Sequence, residues 1–118
     1  MPSLPRLLLR AEGLALGAAA LVVYFHLDYG WVLLLVLALA PDLSMLGYLA
    51  GMRVGATSYN LAHTEVWPAA LIVAGVLADS EPLVQLALIW LVHIGVDRVL
   101  GYGLKYPTRF DDTHLQRV

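Results

Sequence analysis

Ionisable side chains are set into an apolar run at residues 93–103, where His93 and Asp97 are four positions apart. On a helix, residues four apart lie one above the other on the same face, so these two side chains can share one proton, ligand or metal ion. A charged side chain inside membrane hydrocarbon costs on the order of 2.5–3.5 kcal/mol on insertion scales. An Asp in such a run therefore indicates a functional site, provided that other segments supply its partners.

Two other apolar segments supply candidate partners at a similar depth. Asp42 follows Pro41 in the second segment, and His63 lies near the start of the third. Counted at about 1.5 Å per residue from one side of the membrane, the four ionisable side chains fall within roughly 7 Å along the membrane normal. They are Asp42, His63, His93 and Asp97. Two imidazoles and two carboxylates suit Zn²⁺, Mn²⁺ or Fe²⁺, so we predict a divalent metal site with zinc as the first candidate.

Glu65 and Asn60 are the candidate catalytic residues beside this set. Glu65 follows His63 by two positions, and Asn60 precedes it by three. A zinc ion with an open coordination position lowers the pKa of bound water toward about 7, and a free carboxylate such as Glu65 could take the proton. Asn60 extends the polar group because its i+3 neighbour is His63. The set favours hydrolysis of a lipid or lipid-linked ester at the inner leaflet.

The same residues also fit roles without catalysis. In one interpretation Asp97 accepts a hydrogen bond from His93, and Asp42 pairs with Arg98 or caps its own broken helix. The protein would then be a membrane scaffold, a transport subunit or a proton-relay element. A third interpretation is haem held between His63 and His93, since bis-imidazole ligation needs only two facing histidines in a bundle.

The composition is that of a membrane protein. The 118 residues are 60% hydrophobic and 14% charged, against about 45–50% and about 25% in soluble domains. The mean hydropathy is +0.76. Seven Lys and Arg residues provide no basic surface of the kind that nucleic-acid binding needs, so that class is excluded. Cys is absent, which excludes disulfides, Cys-ligated zinc and iron–sulfur clusters, and leaves His and carboxylate as metal ligands.

Four apolar runs are long enough to cross a membrane as helices. They predict an all-α fold, a polytopic four-transmembrane-helix bundle in a single domain. The predicted spans are residues 11–27, 31–50, 58–78 and 83–103, followed by a cytoplasmic tail at 104–118. Pro41 removes a backbone donor and clashes with the preceding turn, so we expect the second helix to be broken or kinked there.

Basic residues lie on one side of these spans. Six of the seven Lys and Arg residues occupy the termini and the connection 51–57, Arg98 lies near that same side, and the first and third connections have none. The positive-inside rule then predicts a multi-pass protein of the cell inner membrane, with both termini cytoplasmic and membrane lipid as its partner. The GxxxG spacings at Gly13/Gly17 and Gly47/Gly51 let another backbone approach closely, and predict close helix packing or a homo-oligomer through these faces.

Long stretches of the chain closely resemble one known family. They are residues 41–51 (PDLSMLGYLAG), 59–64 (YNLAHT), 93–98 (HIGVDR), 101–107 (GYGLKYP) and 110–115 (FDDTHL). These stretches resemble the small bacterial membrane proteins grouped as domain of unknown function 4260, and the resemblance covers nearly the whole chain. It implies a bacterial integral membrane protein of four helices, and it implies no activity.

A second resemblance concerns the order of the candidate ligands. Pro-Asp, then His-Thr, then His-x-x-x-Asp followed by a Gly-containing turn and Pro is similar to the pattern of membrane-bound metal-dependent hydrolases. The residues on that pattern are Asp42, His63, His93 and Asp97. Where those hydrolases have a further His and Arg, this chain has Ser58 and Tyr59. The departure implies a different metal, a single-metal site or a lost activity.

Overall fold

The computed structural model describes residues 3–117 as a set of helices. In chain order they are α1 (Leu4–His26), α2 (Trp31–Leu37), a 3-10 helix (Ala40–Ala50), α3 (Met52–His63), α4 (Val66–Leu77), α5 (Glu81–Leu100) and α6 (His114–Arg117). Four segments are long and apolar enough to cross a membrane: Leu4–His26, Trp31–Ala50, Met52–Leu77 and Glu81–Leu100. Between residues 3 and 117, β geometry is confined to an isolated bridge between Lys105 and Thr113. The predicted all-α membrane fold of four spans is confirmed.

Helix α1 begins seven positions before its predicted span, because a cap and not hydropathy sets its start. The Ser3 hydroxyl accepts a hydrogen bond from the Arg6 N–H at 3.2 Å. Pro5 occupies the first turn, where a backbone N–H would have no acceptor within the helix, so its absence costs no hydrogen bond. The helix therefore extends beyond the apolar run on the side where Arg6 and Arg10 lie.

The second span changes helix type before Pro41. The α-helix ends at Leu37, and from Ala40 the chain continues as a 3-10 helix with Pro41 in its first turn. Pro cannot supply the N–H that an α-helix needs at this position, and the 3-10 form is wound more tightly. A kink at Pro41 stays a prediction. The change of helix type leaves the Ala38 carbonyl outside both helices, and it places Asp42 one turn further on.

The third span is interrupted where the first candidate ligand ends its helix. α3 stops at His63, Thr64 is extended with φ −91° and ψ 141°, and α4 starts at Val66. A helix end leaves carbonyls without helical partners, and α5 supplies donors for two of them. Trp90 Nε1 donates to Ala62 O at 2.6 Å, and Arg98 Nη2 donates to His63 O at 3.3 Å. This anchoring positions the His63 end of α3 against α5.

The connection before α3 is shorter than residues 51–57. Gly51 alone separates the 3-10 helix from α3, which begins at Met52. Its φ of +120° lies in the region that favours glycine, and this single residue reverses the chain. The 3-10 helix and α3 then pack against each other, while α1 and α4 both pack on α5.

Glycines form the contact between α1 and α5. A Cβ atom added to Gly95 would lie 2.6 Å from Gly17 Cα and 2.7 Å from Gly13 O, both backbone atoms. The predicted close packing at Gly13 and Gly17 therefore occurs within the chain. Gly47 is likewise covered by Ser58 of α3. Gly51, the other glycine of that pair, has no such neighbour within 4 Å among residues 3–117, and a homo-oligomer stays a prediction.

The tail folds back over the end of the bundle where α5 stops. Arg6 Nη2 donates to Gln116 O at 2.7 Å, and Gln116 Nε2 donates to Gly101 O at 3.0 Å. Both ends of the described chain thus lie on the same side of the bundle. The tail also contacts α3, since the Lys105 N–H donates to Asn60 Oδ1 at 2.5 Å.

Candidate metal centre

Four ionisable side chains from three elements meet in one cluster. Asp42 comes from the 3-10 helix, His63 from the end of α3, and His93 and Asp97 from successive turns of α5. Each offers one ligand atom, and these atoms all lie within 4.8 Å of one another. The His side chains are 4–5% exposed, against 29% for Asp42 and 17% for Asp97. The structure therefore brings together the four residues predicted from depth.

The imidazole nitrogens are at the centre of this His/Asp cluster. His63 Nε2 lies 3.0 Å from Asp42 Oδ1 and 3.1 Å from His93 Nε2. His93 Nε2 lies 3.1 Å from Asp42 Oδ1. Asp97 Oδ2 completes the group at 3.4 Å from His63 Nε2 and 3.3 Å from His93 Nε2.

Main-chain carbonyls determine which nitrogen of each imidazole carries a proton. His63 Nδ1 lies 2.8 Å from Tyr59 O, and His93 Nδ1 lies 2.5 Å from Ala38 O. A carbonyl can only accept, so these partners assign the proton to Nδ1 in both rings. When the rings are neutral, each Nε2 therefore presents a lone pair to the cluster. This is the arrangement in which metal-ligating histidines are usually held.

Four electron-rich atoms consequently face one another in a largely buried space. Two unprotonated nitrogens and two carboxylate oxygens at these distances repel unless positive charge lies between them. A tetrahedron of ligands at about 2.0–2.2 Å from zinc has edges of about 3.3–3.6 Å, close to five of the six separations, which are 3.0–3.4 Å. The cluster could hold a metal ion, or protons shared between the carboxylates and the imidazoles.

Tyr59 supports two members of the cluster. Its ring stacks on the His63 ring with centroids 3.6 Å apart and an interplanar angle of 8°. Its hydroxyl donates to Asp97 Oδ2 at 3.4 Å. The sequence carries a signal for this role, because Tyr59 precedes His63 by four positions and so shares its helix face. The Ala38 carbonyl left no such signal, since any residue provides a carbonyl.

A pocket of about 170 Å³ reaches the carboxylate side of the cluster. Its lining residues are Asp42, Met45, Tyr59, Asp97, Tyr102, Lys105 and Phe110. Tyr102 is 50% exposed and Phe110 is 47% exposed, so the pocket opens beside the tail and not into the bundle interior. Lys105 brings a cation to this pocket, and sequence reasoning had placed it only in the tail.

Comparison with known proteins gives one match. Residues 6–118 match the model of the family described as Domain of unknown function (DUF4260). The chain belongs to the DUF4260 family. No curated protein and no solved structure matches it. The matched region of this DUF4260 protein contains the whole His/Asp cluster and the residues that line its pocket.

Asn60 and Glu65 lie apart from the His/Asp cluster in the DUF4260 protein. Asn60 binds the main chain of the tail: Oδ1 accepts from the Lys105 N–H, and Nδ2 donates to Lys105 O at 2.8 Å. Glu65 precedes α4 and lines a separate pocket with Arg98 and Glu12. Neither pocket that contains Asp97 includes Glu65. The structure thus gives Asn60 a positioning contact and does not bring Glu65 to the cluster.

The DUF4260 cluster does not have the geometry of bis-imidazole haem. A porphyrin needs a flat slot between its two axial histidines. Here the two Nε2 atoms are 3.1 Å apart, the rings are tilted by 60°, and both carboxylates occupy the same space. The haem interpretation is therefore not favoured.

Arg98 does not pair with Asp42, as one structural interpretation required. Its guanidinium contacts His63 O at 3.3 Å and lies 3.0 Å from His114 Nε2 in the tail. The Leu104 N–H donates to His114 Nδ1 at 2.8 Å, which requires that nitrogen to be unprotonated. Burial lowers the pKa of His114, and the Arg98 guanidinium lowers it further. His114 thus holds the tail in its neutral form.

We expect acid to loosen this tail contact. The pKa of His114 is lower in the folded chain than the ordinary value of about 6.5, so the unfolded tail binds more protons as the pH falls below that value. Docking of residues 102–117 should then be weaker at pH 5.5 than at pH 7.5. The protection of the backbone amides in this tail, measured by hydrogen exchange and corrected for intrinsic rates at each pH, reports the strength of docking. His114→Phe should remove the difference, and equal protection at both pH values in the unmodified protein would contradict the prediction.

Proposed function

We propose that this protein is a zinc-dependent hydrolase that acts on a lipid or lipid-linked ester at the inner leaflet of the cell membrane. The observation that carries the proposal is the orientation of the two imidazoles. Both Nδ1 atoms contact main-chain carbonyls, so in the neutral rings both Nε2 lone pairs point at two carboxylates. Burying these four groups together without a cation costs free energy. Their nitrogen and oxygen atoms are the ligand types that zinc prefers.

Asp42 is the residue best placed to take a proton from water. Zinc held by His63, His93 and Asp97 would keep a fourth position for water, whose pKa it would lower toward about 7, and would polarise the ester oxygen. Asp42 has the most exposed side chain of the cluster and lines the pocket, and its Oδ1 is the atom that contacts both imidazoles. Its second oxygen, Oδ2, makes no hydrogen bond within residues 3–117 and could accept the proton. This assignment replaces Glu65, which lies at another pocket.

A membrane lipid is the source of substrate that the surroundings favour. The pocket opens between Tyr102 and Phe110, and exposed aromatic side chains of this kind are typical of the membrane–water interface. Large apolar side chains cover the outside of the spans, as at Leu49, which is 88% exposed, and Leu77, which is 80% exposed. A lipid headgroup could therefore enter the pocket while its chains remain in the bilayer.

We also propose that both termini face the cytoplasm. Arg6 and Arg10 at the start of α1 contact Gln116 and Val99, so the basic start of the chain lies on the same side as the basic tail. Basic segments are retained on the cytoplasmic side. Reporter fusions test this orientation: a fusion after Arg117 should report the cytoplasm and one at Ser80 the opposite side. A cytoplasmic signal at Ser80 would contradict it.

Two measurements on purified protein test the hydrolase proposal. Elemental analysis should find about one zinc per chain, and hydrolysis of fluorogenic lipid esters should depend on that zinc. Asp42→Asn should reduce hydrolysis by about 10²- to 10⁴-fold, the usual contribution of a general base, beyond its effect on zinc occupancy. Glu65→Gln should change the rate of hydrolysis little. A loss as large as that of Asp42→Asn would show that Glu65 is the general base. Protein free of zinc and other divalent metals would instead favour a scaffold, transport subunit or proton relay.

A further inference from the structure

Lys105 places a buried cation in the pocket of the His/Asp cluster. The residue is 4% exposed, and its Nζ lies 3.6 Å from the Phe110 ring centroid and 4.4 Å from that of Tyr59. Nζ donates to Phe110 O at 2.6 Å. Across residues 3–117, no carboxylate oxygen lies within 4.0 Å of it. An ammonium has three donors, so two remain for another acceptor in the pocket.

The main chain of Lys105 is fixed from both sides. The Asn60 side chain accepts a hydrogen bond from the Lys105 N–H and donates one to the Lys105 carbonyl. An antiparallel bridge also joins Lys105 to Thr113. Burial lowers the pKa of Lys105, while Asp97, Asp111 and Asp42 oppose that shift. Burying a lysine is costly unless its charge is compensated. An ion pair is the usual compensation, but here the faces of two aromatic rings contact the ammonium group instead. The pocket thus contains a positioned cation without a close counter-ion.

The charge of the pocket shows what this cation could bind. Two carboxylates balance one divalent metal ion, and both imidazoles are neutral, so the loaded cluster has no net charge to offer an anion. Lys105 is the one Lys or Arg among the residues that line the pocket. A carboxylic ester is uncharged and needs no such partner. A phosphate ester brings one or two negative charges and oxygens for the two open donors.

We propose that the ester hydrolysed at this site is a phosphate ester, and that Lys105 binds its anionic oxygens. The proposal rests on the proposed hydrolase function and specifies its substrate class. In the reaction the oxygen of water forms a bond to phosphorus, and the bond from phosphorus to the alcohol oxygen breaks. The proton from water passes through the Asp42 carboxylate to the departing alcohol. Asn60 acts only through Lys105, as a positioning residue.

Binding of inorganic phosphate tests the role of Lys105 without requiring turnover. Titration calorimetry on zinc-loaded protein should show phosphate binding, and Lys105→Met should weaken it by about 10- to 100-fold, the range for a lost hydrogen bond to a charged group. Zinc content should be unchanged in this variant. Lys105→Arg should restore part of the affinity. Arg53→Met, which removes an exposed cation outside the pocket, is the matched control and should bind phosphate normally.

Substrate comparison then separates this proposal from the hydrolase proposal. Zinc-dependent release of phosphate from phosphatidate vesicles, or from p-nitrophenyl phosphate in water, would support it, and the preferred substrate identifies a lipid or a soluble source. Hydrolysis of carboxylic esters alone would overturn it while leaving the hydrolase function intact. Equal phosphate affinity in the unmodified protein and Lys105→Met would also overturn it. If Lys105→Met does not fold, failure of the unmodified zinc-loaded protein to bind phosphate is sufficient to reject it.

Discussion

Replacing either His63 or His93 with Ala should abolish metal binding and leave the membrane fold in place. Removing the group that hydrogen-bonds to a metal ligand typically costs about 10–100-fold in metal affinity, so the loss of a ligand itself should exceed about 100-fold. Insertion depends on the apolar runs, which these changes do not alter. Elemental analysis and melting in detergent give the two readouts. We expect less than about a tenth of the unmodified zinc content at equal protein concentration, as that affinity loss requires.

His26→Ala is the matched control for this experiment. His26 is exposed at the end of α1 and lies outside the His/Asp cluster. Its replacement should leave the zinc content unchanged. If His63→Ala and His93→Ala retain metal as well as His26→Ala does, the metal lies elsewhere and the cluster is held by shared protons alone.

Gly95→Val should separate α1 from α5 and lower the melting temperature of the bundle. The first added carbon would lie 2.6–2.7 Å from Gly17 and Gly13 backbone atoms, which no side-chain rotation can relieve. Overpacking usually costs about 1–3 kcal/mol, and contact with rigid backbone places this change at the upper end or beyond. Gly95 is also two positions from both His93 and Asp97, so displacement of α5 should reduce zinc affinity.

The control for this change is a glycine that has space around it. Among residues 3–117, no heavy atom beyond Gly30 and its two chain neighbours lies within 4 Å of a Cβ atom built there, and the φ of −77° suits any residue. Gly30→Ala should melt within a degree or so of the unmodified protein, as most surface substitutions do. Unchanged melting of Gly95→Val would show that the two helices do not approach as closely as described.

The spans and the His/Asp cluster could be predicted because they depend on regular features. Apolar length defined the four spans, and the constant rise of a helix placed Asp42, His63 and Asp97 at one depth. Hydropathy could not locate the start of α1, because the Ser3 cap extends that helix beyond the membrane run. The interruption at Thr64 was also missed, although the chain changes there from the mixed sequence of α3 to the apolar sequence of α4.

The parts of the site that sequence reasoning missed depend on main-chain atoms or on distant pairing. Lys105 reaches the pocket because Asn60, 45 positions earlier, binds its main chain. Glu65 was expected at the cluster because it is two positions from His63, and an uninterrupted helix would place both at nearly the same depth. The extended Thr64 between them ends α3, and Glu65 then starts the approach to α4 on another side. Proximity along the chain therefore favoured Glu65, whereas proximity in space favours Asp42 and Lys105.

The hydrogen bond from His93 to the Ala38 carbonyl has a consequence for how this protein can vary among its relatives. The requirement at position 38 is for an oxygen that every amino acid carries, so the identity of the side chain there is under little constraint from the cluster. The constraint falls on the change to a 3-10 helix, in which the Asp42 N–H donates to Leu39 O and leaves the Ala38 carbonyl free, and Pro41 favours that change. Aligned relatives should therefore vary at position 38 and retain proline at position 41, and a substitution scan should record the same asymmetry.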